Sequence, residues 1–311
     1  MAAKYWAFMF TMGAATYAEA LAVVEQSRAH LAARADALPA VVRARVDLAL
    51  AKAHLSFGDL RQAEPLMASS GAVLKEFWRQ RRDCCAHHAL IFYEGLLSMQ
   101  LGQHAVADAR FREGRELDER IGQDTNPSKV YDWAFIAMNQ MMSGDLVQPQ
   151  QVLEAAPKVG AMAGDPLSGN DYPLVVPAML ARLHLERGDV AGAVRLMPDV
   201  SALGPDAEPL FAEHALRGAI LCAAGRASEG LPIMLVSIRS VSSRVGDQHP
   251  ALARTRATAG LCALSLGDAA LAERLADQAR RAFTAQPKVS PYYKAPLAKL
   301  EQALQGRRPT T

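Results

Sequence analysis

A glycine returns along this chain at a nearly constant distance. It stands at Gly13, Gly58, Gly102, Gly144, Gly188, Gly225 and Gly267, with successive spacings of 45, 44, 42, 44, 37 and 42 residues. Each follows one apolar helical run and precedes another, and an aspartate comes directly after it at Asp59, Asp145, Asp189 and Asp268. A fixed period of this size is the mark of stacked supersecondary units, none of which can bury its apolar face alone. Glycine takes the left-handed conformation that ends one helix, and the aspartate caps the next. The chain is therefore predicted to be an array of helical hairpins.

A second register supports the first. Five residues beyond each glycine stand Ala18, Ala63, Ala107, Pro149, Ala193, Gly230 and Ala272, and seven residues before it stand Ala51, Gly95, Ala137, Ala181, Gly218 and Gly260, with Trp6 as the exception. Small side chains at both places let paired helices approach where they cross. Pro149 and Gly230 make the fourth and sixth hairpins the weakest expectations. Composition agrees: half of the 311 residues are apolar and only 6% aromatic, and alanine and leucine, which favour helix, carry most of the burial. Alternating strand patterns are scarce, so the expected class is all-α.

These positions resemble the tetratricopeptide repeat, a helix pair with a small residue midway along its first helix, glycine at the turn and alanine early in its second. The longer unit here is similar to the repeats of kinesin light chains and of the maltose-regulon activator's sensor domain, most of all over GDQHPALARTRATAGLCALSLGDAALAERL, Gly246 to Leu275. The resemblance implies a right-handed superhelical solenoid of about seven antiparallel helix pairs, and SPYYKAPLAKLEQALQG reads as a C-terminal capping helix. It divides into four hairpins over 1–157, a loop or hinge over 158–173, three hairpins plus the cap over 174–306, and a tail over 307–311. The array is expected to be continuous. The first hairpin has no cap ahead of it, which points to a partner or preceding domain at that end.

A net charge of +2 with interspersed signs argues against nucleic acid and an anionic membrane as partners. The short basic runs around Arg79–Arg82 and at Arg307–Arg308 read as solvated helix ends. No window is apolar enough to span a bilayer. The stretch before Ala18 has the outline of a secretory leader, but it runs on into an amphipathic helix. Four cysteines in a chain of this length do not form a disulfide framework and point to a reducing, cytoplasmic setting.

RRDCCAHHAL, Arg81 to Leu90, has the look of half a metal site. Cys84 and His88 share a helix face with Asp83 as N-cap, yet zinc needs three or four ligands and nothing elsewhere completes the set. Buried thiols and a solvated histidine pair are expected, with no metal and no cofactor. His54 and His184 stand at equivalent places, four residues before their glycines. Glu94, among apolar neighbours, needs a partner. GxxxxGK, GxSxG, HExxH and GxGxxG are absent, so no enzyme is expected.

By the resemblance, the first helices line a concave face. Positions counted back from the glycines place Phe92, Leu96, Tyr131 and Met138 there, flanked by Arg45, Lys52 and Arg182, with Met141 and Met142 adding an adaptable patch beside Met138. Arg254 occupies a further position of the same face. The expected function is capture of a peptide or partner helix in this groove. The alternative is a regulatory domain that senses a small molecule.

Overall fold

The computed structural model describes residues 17–33, 39–81, 84–120, 130–156, 172–197 and 213–306. Among them every regular element is a helix. In chain order these are α1 (Tyr17–Ala32), α2 (Ala40–Ser56), α3 (Leu60–Arg81), α4 (Cys84–Gln100), α5 (His104–Arg120), α6 (Val130–Met142), α7 (Gln148–Glu154), α8 (Tyr172–Glu186), α9 (Val190–Leu196), α10 (Glu213–Ala223), α11 (Ala227–Val245), α12 (Pro250–Ser265), α13 (Ala269–Ala285) and α14 (Pro291–Gln305). The expectations on Gly13, on the leader-like stretch, on Asp83 and on the side chains of Cys84 and Cys85 lie outside the described residues.

The turn chemistry follows the glycine period. Gly58, Gly102, Gly144, Gly188, Gly225 and Gly267 all have positive φ, between 74° and 92°. At each, the next residue donates its N–H to the carbonyl five residues back: Asp59 to His54, Gln103 to Ser98, Asp145 to Gln140, Asp189 to His184, Arg226 to Leu221, and Asp268 to Ala263. That bond satisfies a carbonyl that the helix end would otherwise leave orphaned. The aspartates then cap the following helix. Asp189 accepts from the Gly192 N–H at 2.8 Å and Asp268 from the Leu271 N–H at 2.9 Å, while Asp145 accepts from Val147 and Gln148.

The small-residue register is where helices touch. Ala51, Ala63, Ala107, Ala137, Ala181, Ala193 and Ala272 are fully buried. A Cβ on Gly95 would meet the Phe111 ring 2.6 Å away, and one on Gly218 would meet the Gly230 carbonyl oxygen at 2.8 Å. The fourth and sixth hairpins form despite Pro149 and Gly230. Pro149 sits in the first turn of α7, where it lacks no needed donor, and Gly230 is what allows α11 to lie against α10.

The chain forms two compact units, residues 1–126 with 243–246, and 127–242 with 247–311. In the first, α3 packs on α2 and α5 on α4 around Leu50, Leu74, Leu90, Ile91 and Phe111. In the second, first helices of consecutive hairpins lie side by side, α6 by α8, α8 by α10, α10 by α12 and α12 by α14. Ala178, Ala181, Ala193, Leu216 and Ile220 form one shared core of α8, α9 and α10. The segment expected as a loop or hinge, 158–173, lies almost wholly outside the described residues. The helices on either side of it, α7 and α8, pack together within the second unit.

Two expectations are corrected here. The cysteines are not all free thiols: Cys222 on α10 and Cys262 on α12 are joined in a disulfide. Their separation of 40 residues is close to the repeat length, so the repeat itself brings them together. Met141 and Met142 are 3% and 6% exposed and belong to the core, because their side of α6 faces inward, and not to an adaptable surface patch.

Candidate functional site

In the second unit, side chains from α8, α12 and α14 converge. Arg254 on α12 donates through Nη2 to Glu186 Oε1 on α8 at 2.6 Å, and through Nη1 to the Tyr292 carbonyl oxygen at 2.5 Å. Its guanidinium lies 3.8 Å above the centre of the Tyr292 ring, a cation–π geometry. The Tyr292 hydroxyl donates to the same Glu186 oxygen at 2.8 Å. Burial pushes the Tyr292 phenol above its ordinary value, against the opposing pull of Arg254 and Arg182. Arg182, expected on this face, thus acts on the same group as Arg254. Arg254 and Glu186 form the ion pair of the cluster.

The local structure explains the convergence. Glu186 ends α8 just before the Gly188 turn, Arg254 stands in the second turn of α12, and Ser290 caps α14 so that Tyr292 enters its first turn. Between α8 and α12 lies α10. Packed helices sit about 8–10 Å apart axis to axis, so on a flat layer α8 and α12 would be roughly 16–20 Å apart. The extended side chains of Arg254 and Glu186 together bridge from α12 to α8.

In the first unit, the two expected cations each lie over an aromatic ring outside the expected set. Lys52 Nζ lies 4.4 Å from the centre of the Tyr93 ring, joining α2 to α4, and the Arg45 guanidinium lies 5.5 Å from the Phe77 ring centre. Phe92 stacks on His88, meets Tyr93 edge-on and tilts against Phe111. Leu96 is partly buried on α4; Tyr131 and Met138 are partly buried on α6 of the second unit. Phe92 therefore serves the packing of α4 on α5 as much as the face.

Glu94 finds two cations, Lys75 Nζ at 2.7 Å and Arg110 Nε at 3.2 Å, and Gly71 leaves room for its carboxylate. His88 is not the solvated residue expected: it is 16% exposed and pairs with buried Asp118 at 3.0 Å, because its side of α4 faces Gly114 on α5. The two equivalent histidines share one role. His184 Nδ1 lies 2.7 Å from Asp189, and His54 Nδ1 lies 3.6 Å from Asp59. Each ring holds the aspartate that caps the next helix. The Asp189 carboxyl is lowered first by the Gly192 N–H and then by His184, and Asp59 is lowered first by the neighbouring His54 ring.

Sequence reasoning passed over Glu186 and Tyr292. Arg254 was visible as a face position, but its partners lie 68 and 38 residues away and carry no local pattern. Among the described residues, no helix is long and apolar enough to cross a membrane.

Helix pairs with this turn, this small-residue register and side-by-side first helices define an all-α, tetratricopeptide-like repeat protein. Among solved structures, the chain is similar to NprR in complex with its cognate peptide NprX, with a TM-score of 0.54 and 14% identity over 98% of this chain and 82% of that one. It also aligns with the TPR2AB-domain:pHSP90 complex of yeast Sti1, at a TM-score of 0.34 and 12% identity, covering 85% of this chain and 99% of that one. The first likeness shows the fold; the second is too distant to carry an argument. No family model matches the sequence, and no curated protein does.

Proposed function

We propose that the chain is a non-enzymatic binding protein of the cytoplasm that holds an extended acidic segment of a partner protein or peptide on its first-helix face. The observation that carries this is the cluster on α8, α12 and α14, where Arg254 and Glu186 gather around the Tyr292 ring and Arg182 stands near enough to act on it. A guanidinium on such a surface can donate two N–H groups to one carboxylate, and Tyr292 offers a rigid contact of low entropic cost. Extended concave surfaces are what repeat arrays offer to linear ligands. The likeness in fold to NprR, whose structure holds a peptide, supports the same reading. Tyr131 and Met138 on α6 of the same unit are the further contacts we assign to such a ligand, and Arg45, Lys52, Phe92 and Leu96 are a separate candidate surface on the first unit.

The test is selection of linear peptides from a randomised display library on the immobilised chain, with Arg182→Glu as counter-target. Enrichment of acidic sequences that lose at least tenfold in affinity for the variant is expected. Enrichment of nothing, or of sequences indifferent to position 182, contradicts the reading. Recovery of a tightly bound metabolite in place of any peptide favours the small-molecule sensor instead.

A further inference from the structure

We propose that Cys222 and Cys262 are a reversible redox clip that sets whether the last hairpin and its capping helix are fixed to the hairpin before them. The bond joins α10 to α12, the first helices of consecutive units, at a Cα–Cα distance of 5.7 Å. In a repeat array each unit packs mainly on its neighbours, so one covalent link there, beside the bonds of Arg254 and Tyr292 to Glu186, ties α12 to α14 to the hairpin before them. That terminal block carries Arg254 and Tyr292, while their partner Glu186 lies on the other side of the link.

Three features suit both redox states. Cys222 is partly exposed whereas Cys262 is 3% exposed, which leaves one sulfur open to attack and the other sheltered. Gly230 clears the space around the Cys222 sulfur, since a Cβ there would come within 2.7 Å of it. Cys262 Sγ also lies 3.8 Å from the Ala227 carbonyl oxygen, so the reduced thiol has a buried acceptor waiting. A thiolate of a small thiol such as glutathione attacks Cys222 Sγ, breaks the S–S bond and releases Cys262 as a thiolate that takes a proton. A second thiolate displaces the mixed disulfide, so two thiols become one disulfide and the protein gains two S–H groups. Closure is the reverse, with oxidised glutathione as oxidant. In a reducing compartment the clip rests open and closes under oxidation.

The experiment equilibrates the full folded chain in oxidised or reduced glutathione, maps disulfides by mass spectrometry of peptides, and follows hydrogen exchange. In oxidised buffer a Cys222–Cys262 crosslink is expected. Reduction is expected to open it without denaturant, to raise exchange across α12–α14 by at least tenfold, and to lower Tm by about 5–10 °C. Cys222→Ala/Cys262→Ala should match the reduced chain in both buffers; if that variant fails to fold, the wild-type comparison alone decides. A crosslink to Cys84 or Cys85 instead, a bond that opens only in denaturant, or exchange identical in the two buffers would overturn the proposal. None of these readouts involves a ligand, so they stand apart from the peptide-binding reading.

Discussion

At Gly218 and Gly230 two helices meet backbone to backbone, and the balance of energies there has a definite sign. Alanine at Gly218 gains about 1 kcal/mol of helix propensity, but its Cβ would press on the Gly230 carbonyl and the Met234 side chain, and overpacking costs about 1–3 kcal/mol. Since backbone cannot rotate aside, the cost lies in the upper part of that range and the second effect wins: Gly218→Ala is expected to lower stability by up to about 2 kcal/mol in urea titration. His249 makes a pH-dependent contribution. Its Nδ1 accepts the Ala251 N–H at the start of α12 at 3.2 Å, which an imidazolium cannot do, and burial pushes its pKa down to about 4. A depressed histidine stabilises the fold fully above about pH 6.5, and that contribution is lost as pH falls towards 4. The ring is only partly covered, so we expect about 2 kcal/mol, below what the full shift would imply. His249→Asn keeps a cap and removes the titration; its stability should fall less than wild type between pH 7 and pH 5.

Along single elements, the turns were legible because one residue carries each signal: glycine at positive φ, then aspartate as cap. Asp268→Ala should therefore cost about 1 kcal/mol, read as faster hydrogen exchange in the first turn of α13. The contacts among α8, α12 and α14 were not legible, since helical periodicity says which face a residue occupies but not which distant residue opposes it. Glu186 and Tyr292 are 106 residues apart. Tyr292→Phe removes one hydroxyl and keeps the ring beneath Arg254, an expected loss of about 1 kcal/mol. Arg254→Met leaves Glu186 without its cation and should cost more than Tyr292→Phe in thermal melts. Equal losses would mean that the ion pair adds nothing beyond the ring contact.

For the whole chain, a period near 42 residues was enough to reveal the fold class, because every hairpin turn among the described residues, from Gly58 to Gly267, repeats the same closure. The same regularity hid the disulfide: cysteines 40 residues apart look unrelated until the repeat length is taken as the step between neighbouring helices. It also concealed the division into compact units near residue 126, where no change of composition marks the place. What the repeat builds on its first-helix face is the central question. The most direct test is crosslinking mass spectrometry on the full chain with an acidic peptide from the display selection, carrying a photoreactive residue. The account predicts crosslinks on α8, α12 and α14, abolished by Arg182→Glu. Crosslinks confined to the second helices, α9, α11 and α13, would contradict it.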